Sequence, residues 1–262
     1  LRISKIFLYD EPSVPEIRIN ELAEFINKKT RIKVHVRENF FNYFHIKREF
    51  VYQIASCRIL NPYAPFERHE PATDEVTFEE QSMMDNFAPE NIILYDGFEL
   101  RNVLNNMIPE RELSADIFHL VFTTKLTCTF DYCDYRYHGR AIICSNPSII
   151  STTGIIEAPA KPREFYLRLH EKISRGLNLD VIKDEFKGRF LEYHDKNLGL
   201  VGRGYAMQAI FYYLTGQAFC ELRDCMLHNA HWQEDLLRSQ IEIGTLCHHH
   251  QKILESVASQ SE

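Results

Sequence analysis

Four side chains near the C-terminal end have the types and spacing of a metal centre. Cys220 and Cys225 form a C-x4-C pair, and Cys247 and His250 form a C-x2-H pair further on. Each pair sets two ligands on one tight loop, and the segment between the pairs has to bring the loops together. Zn2+ suits such a set, since it takes four tetrahedral ligands with sulfur at about 2.3 Å and nitrogen at about 2.0 Å. The three thiols must lose their protons to bind, which leaves the filled site at roughly −1. Arg223 is placed to offset that charge, and His248 or His249 could stand in for His250 as the fourth ligand. Four protein ligands leave no position for water or substrate, so the spacing predicts one structural zinc ion rather than a catalytic one.

Other reactive groups have plainer roles beside the functional ones. His228, His231 and Glu234 lie at successive intervals of three and would share one stripe of a helix. They are the candidates for a relocated catalytic site, against the simpler reading of a polar helix edge. A second C-x4-C pair, Cys128 and Cys133, with Cys144 on the next strand, has no histidine pair nearby and reads as core. His170, Glu171, His194 and Asp195 read as solvated faces. His138 and Glu157 flank strand ends, where α/β folds gather functional groups. The plainer roles there are a turn histidine and a helix-start carboxylate. The glycines within 199–204 follow a helical segment and lack the Lys-Ser/Thr of a phosphate loop, so they read as a flexible approach to the next helix. Ser145, Ser148 and Ser151 form no nucleophile elbow, and Cys57 has no identifiable base.

Periodicity supplies the elements that must position these groups. A strand at 5–9, helical spacing over 16–29 and alternation over 31–36 make a β-α-β opening, for which a parallel strand pair is the default. Residues 40–60 are aromatic and partly helical, and 61–74, with three prolines, read as loop. A strand at 91–95 and a helix at 99–107, halted near Pro109, come next. Two long strands follow, 117–130 and 138–150, joined by a polar turn. A further apolar stretch covers 154–156, and Pro159 and Pro162 mark a change from sheet to helix, with helices at 163–177, 179–194, 203–215 and 230–243. The expected fold is α/β, with α+β as the alternative. It has a mixed four- to five-stranded twisted sheet with packed helices in 1–160, then a mainly helical part in 161–262 that holds the zinc site. The two parts are expected to form one continuous unit.

The 262 residues are 45% hydrophobic and 26% charged, which excludes disordered and coiled-coil classes. A net charge of −7 argues against nonspecific nucleic-acid binding. No apolar run approaches the ~20 residues of a membrane helix. The first residues show no signal-peptide core, and seven cysteines are spread too thinly for a secreted disulfide scaffold. A soluble cytoplasmic protein is expected, with no nucleic-acid or membrane partner.

Gly216, Cys220, Cys225 and Met226, followed by Cys247 and His250, make the skeleton G-x3-C-x4-C-M with C-x2-H beyond. This resembles the archaemetzincins, in which H-E-x-x-H-x2-G-x3-C-x4-C-x-M continues to C-x2-C, and an archaeal group described as metallopeptidases. Residues 137–141 and 149–152 look like the last strands before the active-site helix of that family. The likeness therefore runs over about 115–250 with gaps, and its specific part is C-terminal. It implies a metzincin-like fold. Counting back from Gly216 places H-E-x-x-H on Ala209, Ile210, Phe211, Tyr212 and Tyr213, and the third histidine on Phe219. In the motif, histidines one turn apart grip zinc while the glutamate polarises water. Ala209, Ile210 and Phe219 can do neither, and Met226 sits one residue nearer its cysteine than the pattern requires. The resemblance implies a zinc-binding, metallopeptidase-like protein that keeps the structural ion and lacks the standard catalytic ligands. The alternatives are a noncatalytic protein that binds a peptide or protein on that scaffold, or a zinc hydrolase with relocated ligands.

Overall fold

Strand β1 (Lys5–Tyr9) sets the architecture because both of its faces are buried. Ile6 and Leu8 enter one core and Phe7 and Tyr9 the other, as the two-residue period of a strand requires. The chain then forms α1 (Ile19–Thr30), β2 (Lys33–Arg37), α2 (Phe40–Tyr43), α3 (Arg48–Ser56), α4 (Thr73–Met84), β3 (Leu94–Asp96) and α5 (Gly97–Met107). Next come β4 (Ile117–Thr123), β5 (Leu126–Asp131), β6 (Arg136–Arg140), β7 (Ile142–Ile143), β8 (Ser148–Ser151) and α6 (Thr152–Glu157). The remainder is α7 (Arg163–Ser174), α8 (Asp180–Glu185), α9 (Leu198–Thr215), α10 (Gln233–Leu237), a π-helical turn at Arg238–Ile243, and α11 (His248–Ser259). This computed structural model describes residues 2–65, 67–84, 92–178 and 180–259.

The expected mixed α/β architecture is present. One sheet has five strands in the order β2-β1-β4-β8-β7, and a second has three in the order β3-β5-β6. The first four strands of the larger sheet are parallel, and β7 joins β8 antiparallel. Parallel strands covered by helices on both faces are apolar throughout, which is why β4 is buried along its whole length. The core on one face draws Leu8, Phe118, Val201, Phe211 and Leu254 together, so residues from 1–160 and 161–262 share it.

Several boundaries differ from the periodicity. The apolar stretch 117–130 is two strands in different sheets, because the chain turns at Thr124 and Lys125, where Lys125 is drawn inward to pair with Glu79 of α4. The stretch 138–150 divides into β6, β7 and β8, and 154–156 belong to α6, whose first turn is capped by the Ser151 hydroxyl accepting from the Gly154 N–H. Helix α4, unforeseen, begins inside the expected loop 61–74. Of the segments expected at 91–95 and 179–194, Asn91 and Leu179 lie outside the described residues. The second stops at Glu185, because Gly188 turns with φ +83° and Phe186 and Phe190 fold back onto Phe165.

Helix α9 starts five residues earlier than expected, at Leu198, so the glycines of 199–204 are helix rather than flexible approach. A Cβ at Gly199 would lie 2.8 Å from the Glu16 carbonyl oxygen, so glycine there permits close packing. Gly216, with φ +79°, ends the helix in the left-handed conformation that glycine adopts without strain.

A buried polar chain ties β1, β2 and β4 together. Arg37 donates to the Tyr9 hydroxyl and pairs with Glu112 at 2.7 Å, while Tyr9 donates to His119 Nδ1 at 2.9 Å. His119 Nε2 then donates to the Glu112 carbonyl at 2.9 Å, so with Nδ1 accepting from Tyr9 the neutral ring is the Nε2–H tautomer. Burial lowers the His119 pKa, and the Arg37 hydrogen bond lowers that of Glu112.

Two outcomes are expected. Gly199→Ala gains about 1 kcal/mol of helix propensity yet destabilises by about 1–3 kcal/mol overall, because the fixed Glu16 backbone must move; denaturant melts measure it. His119 is neutral when folded and protonates near pH 6.5 when unfolded, so the unfolded state binds the extra proton. Stability should therefore fall as pH drops below about 6.5, by up to about 1.4 kcal/mol per pH unit, until the folded pKa is passed. Urea titrations between pH 7.5 and 5.5 should show a shallower slope for His119→Gln, and an unchanged slope would refute the assignment.

Candidate metal centre

Helix α9 ends at Gly216 and delivers the chain to a tight knuckle. Cys220 N–H donates to the Leu227 carbonyl at 2.8 Å, and His228 N–H donates to the Cys225 carbonyl at 2.8 Å, so the loop closes on itself with both thiols inside. Helix α10 and its π-helical extension then lead to a second turn, where Met226 N–H donates to the Thr245 carbonyl at 2.8 Å and fixes one loop against the other. Cys247 immediately precedes α11, and His250 lies in its first turn.

The sequence-predicted ligands meet here. The Sγ atoms of Cys220, Cys225 and Cys247 and one ring nitrogen of His250 all lie within 4.8 Å of one another. His250 Nδ1 is 3.1 Å from Cys247 Sγ and 3.9 Å from Cys225 Sγ. Donors sharing one ion at about 2.0–2.3 Å must be closer than about 4.6 Å, so these separations suit a common metal after little adjustment. The group could hold one ion. His248 and His249 are exposed, whereas His250 is the imidazole turned inward. Arg223 does not offset the site charge: it pairs with Asp235 at 2.6 Å.

The surroundings prepare these side chains unequally. Burial pushes the Cys225 thiol up to about 12 and raises that of Cys220. Burial raises Cys247 as well, but the His250 backbone N–H, the thiols of Cys225 and Cys220 and the His249 N–H outweigh it and bring that thiol below its ordinary value. Burial and the neighbouring His249 lower the pKa of His250, favouring its neutral form. Backbone N–H groups of Leu222 and Cys247 point at the sulfurs of Cys220 and Cys225, each at 3.4 Å. Such donors stabilise thiolates once a cation displaces the protons.

The proposed relocated site does not assemble. His228 and His231 line one cavity of about 450 Å3, together with Tyr205 and Gln208. Glu234 turns away to pair with Arg189 at 2.7 Å. The three share no helical stripe because Ala160 N–H donates to the His231 carbonyl and Gln233 N–H to the Ala160 carbonyl, which holds 231–232 extended and delays α10 until Gln233. The second C-x4-C pair also fails to converge, with Cys128 buried in β5 and Cys133 exposed in the following turn. In that turn Asp131, Asp134 and His138 approach one another, with His138 Nε2 2.8 Å from Asp134.

Of the residues aligned with the expected catalytic motif, the first three are core, whereas Tyr212 and Phe219 are exposed. Ala209, Ile210 and Phe211 are fully buried on α9, and Tyr213 donates to the Ala115 carbonyl at 2.7 Å while its ring packs on Phe118. Periodicity passed over Gln208, a buried amide within an apolar helix whose Oε1 has no partner among the described residues. Its polarity amid an apolar run was the available signal.

A mixed α/β scaffold with a buried Cys3His cluster that could bind one metal defines the class. Residues 2–257 match the Probable metallopeptidase family (DUF6775), and the chain belongs to that family. No curated protein and no solved structure matches it. Among the described residues, no helix is long and apolar enough to cross a membrane.

Removing one ligand should cost stability through the metal. Cys225→Ser is expected to lower the melting temperature of metal-replete protein by more than about 10 °C, and chelation should lower wild type towards the same value. A variant that melts like wild type, with chelator indifferent to both, would refute metal binding by these residues.

Proposed function

We propose that this protein is an archaemetzincin-like member of the family that holds one structural Zn2+ and binds a peptide or protein partner without cleaving it. What carries the reading is a contrast between neighbouring segments. Four metal-ligating groups converge after Gly216, while the turn of α9 that would carry catalytic ligands is sealed by Ala209, Ile210 and Phe211. Zinc on three thiolates and an imidazole would cross-link the two loops, with no position left to activate water.

The binding surface of this reading is the cavity beside α9. Gln208, buried at its wall, donates from Nε2 to the His228 carbonyl at 3.2 Å, and its Oε1 has no partner among the described residues. His228 and His231 both line this cavity, and a second reading gives them a further catalytic zinc without Glu234. Seven free cysteines fit a reducing, cytoplasmic setting.

Metal analysis separates the two readings. One zinc per chain is expected, lost in Cys220→Ser and retained in His231→Ala, with no casein cleavage by the purified protein. A second zinc that disappears with His231→Ala would favour the relocated site. Chelator-sensitive proteolysis that survives purification would overturn the noncatalytic reading.

A further inference from the structure

Strand β2 is one edge of the five-stranded sheet, with β1 on its inner side and no strand on its outer side. The Arg37 carbonyl accepts from the Asp10 N–H, so the backbone of Lys33, His35 and Arg37 faces β1. The N–H and C=O groups of Val34 and Val36 therefore point outward, and they have no partner among the described residues. Such a row of free groups is a template for one more strand.

The side chains of β2 sort by face. Lys33, His35 and Arg37 lie beside Lys5, Phe7 and Tyr9, with the His35 ring 5.7 Å from that of Phe7. Val34 packs on the opposite core, and Val36, on that same face, is 39% exposed. A strand added here would meet cations on one face and branched apolar groups on the other.

The local charge runs against that of the whole chain. Between Glu24 and Glu38 the sequence holds Lys28, Lys29, Arg31, Lys33 and Arg37 and no acidic residue, in a protein of net charge −7. Glu112 pairs with Arg37, whereas Lys28, Lys29, Arg31 and Lys33 have no ion-pair partner among the described residues. Lys28 and Lys29 complement the carbonyl end of α1, but Arg31 and Lys33 lie beyond its last residue. Burial, then Lys33, Lys5 and Arg37, lower the pKa of His35, and no carboxylate opposes them. Asp116, which feels Lys5, hydrogen-bonds to Ser114 and Ser4.

These cations also decide what can dock. Two β2 edges would bring like charges together, which bars a second copy of the chain. Nucleic acid has the opposite charge, but its phosphates offer no donor to the outward carbonyls of Val34 and Val36. A peptide backbone offers donors and acceptors in alternation.

We propose that β2 docks an extended segment of a partner protein, alternating acidic and apolar residues, as a sixth strand of the sheet. Its backbone pairs with Val34 and Val36, its acidic side chains lie beside Lys33 and His35, and its apolar ones continue the valine face. The edge shares no residue with the cysteine cluster or the cavity beside α9, so this inference stands apart from both.

Fluorescence anisotropy on the full metal-replete chain tests it, with a labelled octapeptide of alternating glutamate and valine as the probe. The peptide should bind with a dissociation constant of about 100 μM or tighter at low salt, and more weakly as salt is added. Its counterpart with lysine for glutamate should bind at least about tenfold more weakly. Valines supply the backbone contacts if the added strand is antiparallel, and glutamates if it is parallel. One of two peptides, N-methylated on its valines or on its glutamates, should therefore lose at least about tenfold in affinity. Lys33→Glu changes an exposed side chain and should weaken binding at least about fivefold with the melting temperature unchanged. No binding of the acidic peptide at about 1 mM, equal binding of the lysine peptide, full affinity in both N-methylated forms, or undiminished binding to Lys33→Glu would each overturn the proposal. Labelled oligothymidylate binding more tightly than the peptide would overturn it in favour of a nucleic-acid surface.

Discussion

The burial of α9 is the constraint on which the rest of the molecule depends. Eighteen residues long and apolar on nearly every side, it fills the space between the five-stranded sheet and the C-terminal loops. An ionised group at Ala209 or Ile210 would be stranded in that core without water or a partner, at a cost of several kcal/mol. In this packing, serving as core and ligating a catalytic metal are competing uses of the same turn, and the sequence adopts the first. The same helix ends at Gly216 and so fixes where the cysteine knuckle begins.

Beyond that glycine the forces change. The knuckle and the Cys247 turn are short: Met226 and Leu227 are buried in the core and Leu246 packs against it, and backbone hydrogen bonds and whatever the four donors hold complete their geometry. Burial favours the protonated thiols of Cys220 and Cys225 despite the backbone N–H groups aimed at them, whereas at the start of α11 the hydrogen bonds to Cys247 outweigh burial. A divalent ion would replace three protons with one shared centre, cross-linking segments that a helix and its π-helical extension separate. Metal affinity and folding are then one equilibrium.

Two cavities occupy different parts of the fold and have different chemistry. The one beside α9 is lined by Tyr205, Gln208 and the imidazoles of His228 and His231. The one at the carboxyl ends of β1, β4 and β8 is lined by Ser13, Lys125, Thr152 and Thr153 with apolar walls, and Lys125 is paired with Glu79. Membership of a metallopeptidase family describes the scaffold, and these side chains decide what it holds.

Much of the fold was legible because β1 and α1 bury their faces in simple periods, and the Cys3His cluster because ligand types at fixed short spacings leave few alternatives. Elements governed by distant contacts were not legible. The stretch 117–130 reads as one strand until Lys125 is seen to turn inward to Glu79, forty-six residues away in the chain. His228, His231 and Glu234 share a stripe only if 231–232 are helical, and Ala160 holds those residues extended. The glycines of 199–204 read as flexible until Glu16 is seen pressed against Gly199. By itself the sequence determined which side chains could ligate a metal and which faces had to be buried, since composition and period are local. Tertiary structure alone decided which groups meet, because burial, strand reversal and cross-chain hydrogen bonds act between residues that no spacing connects.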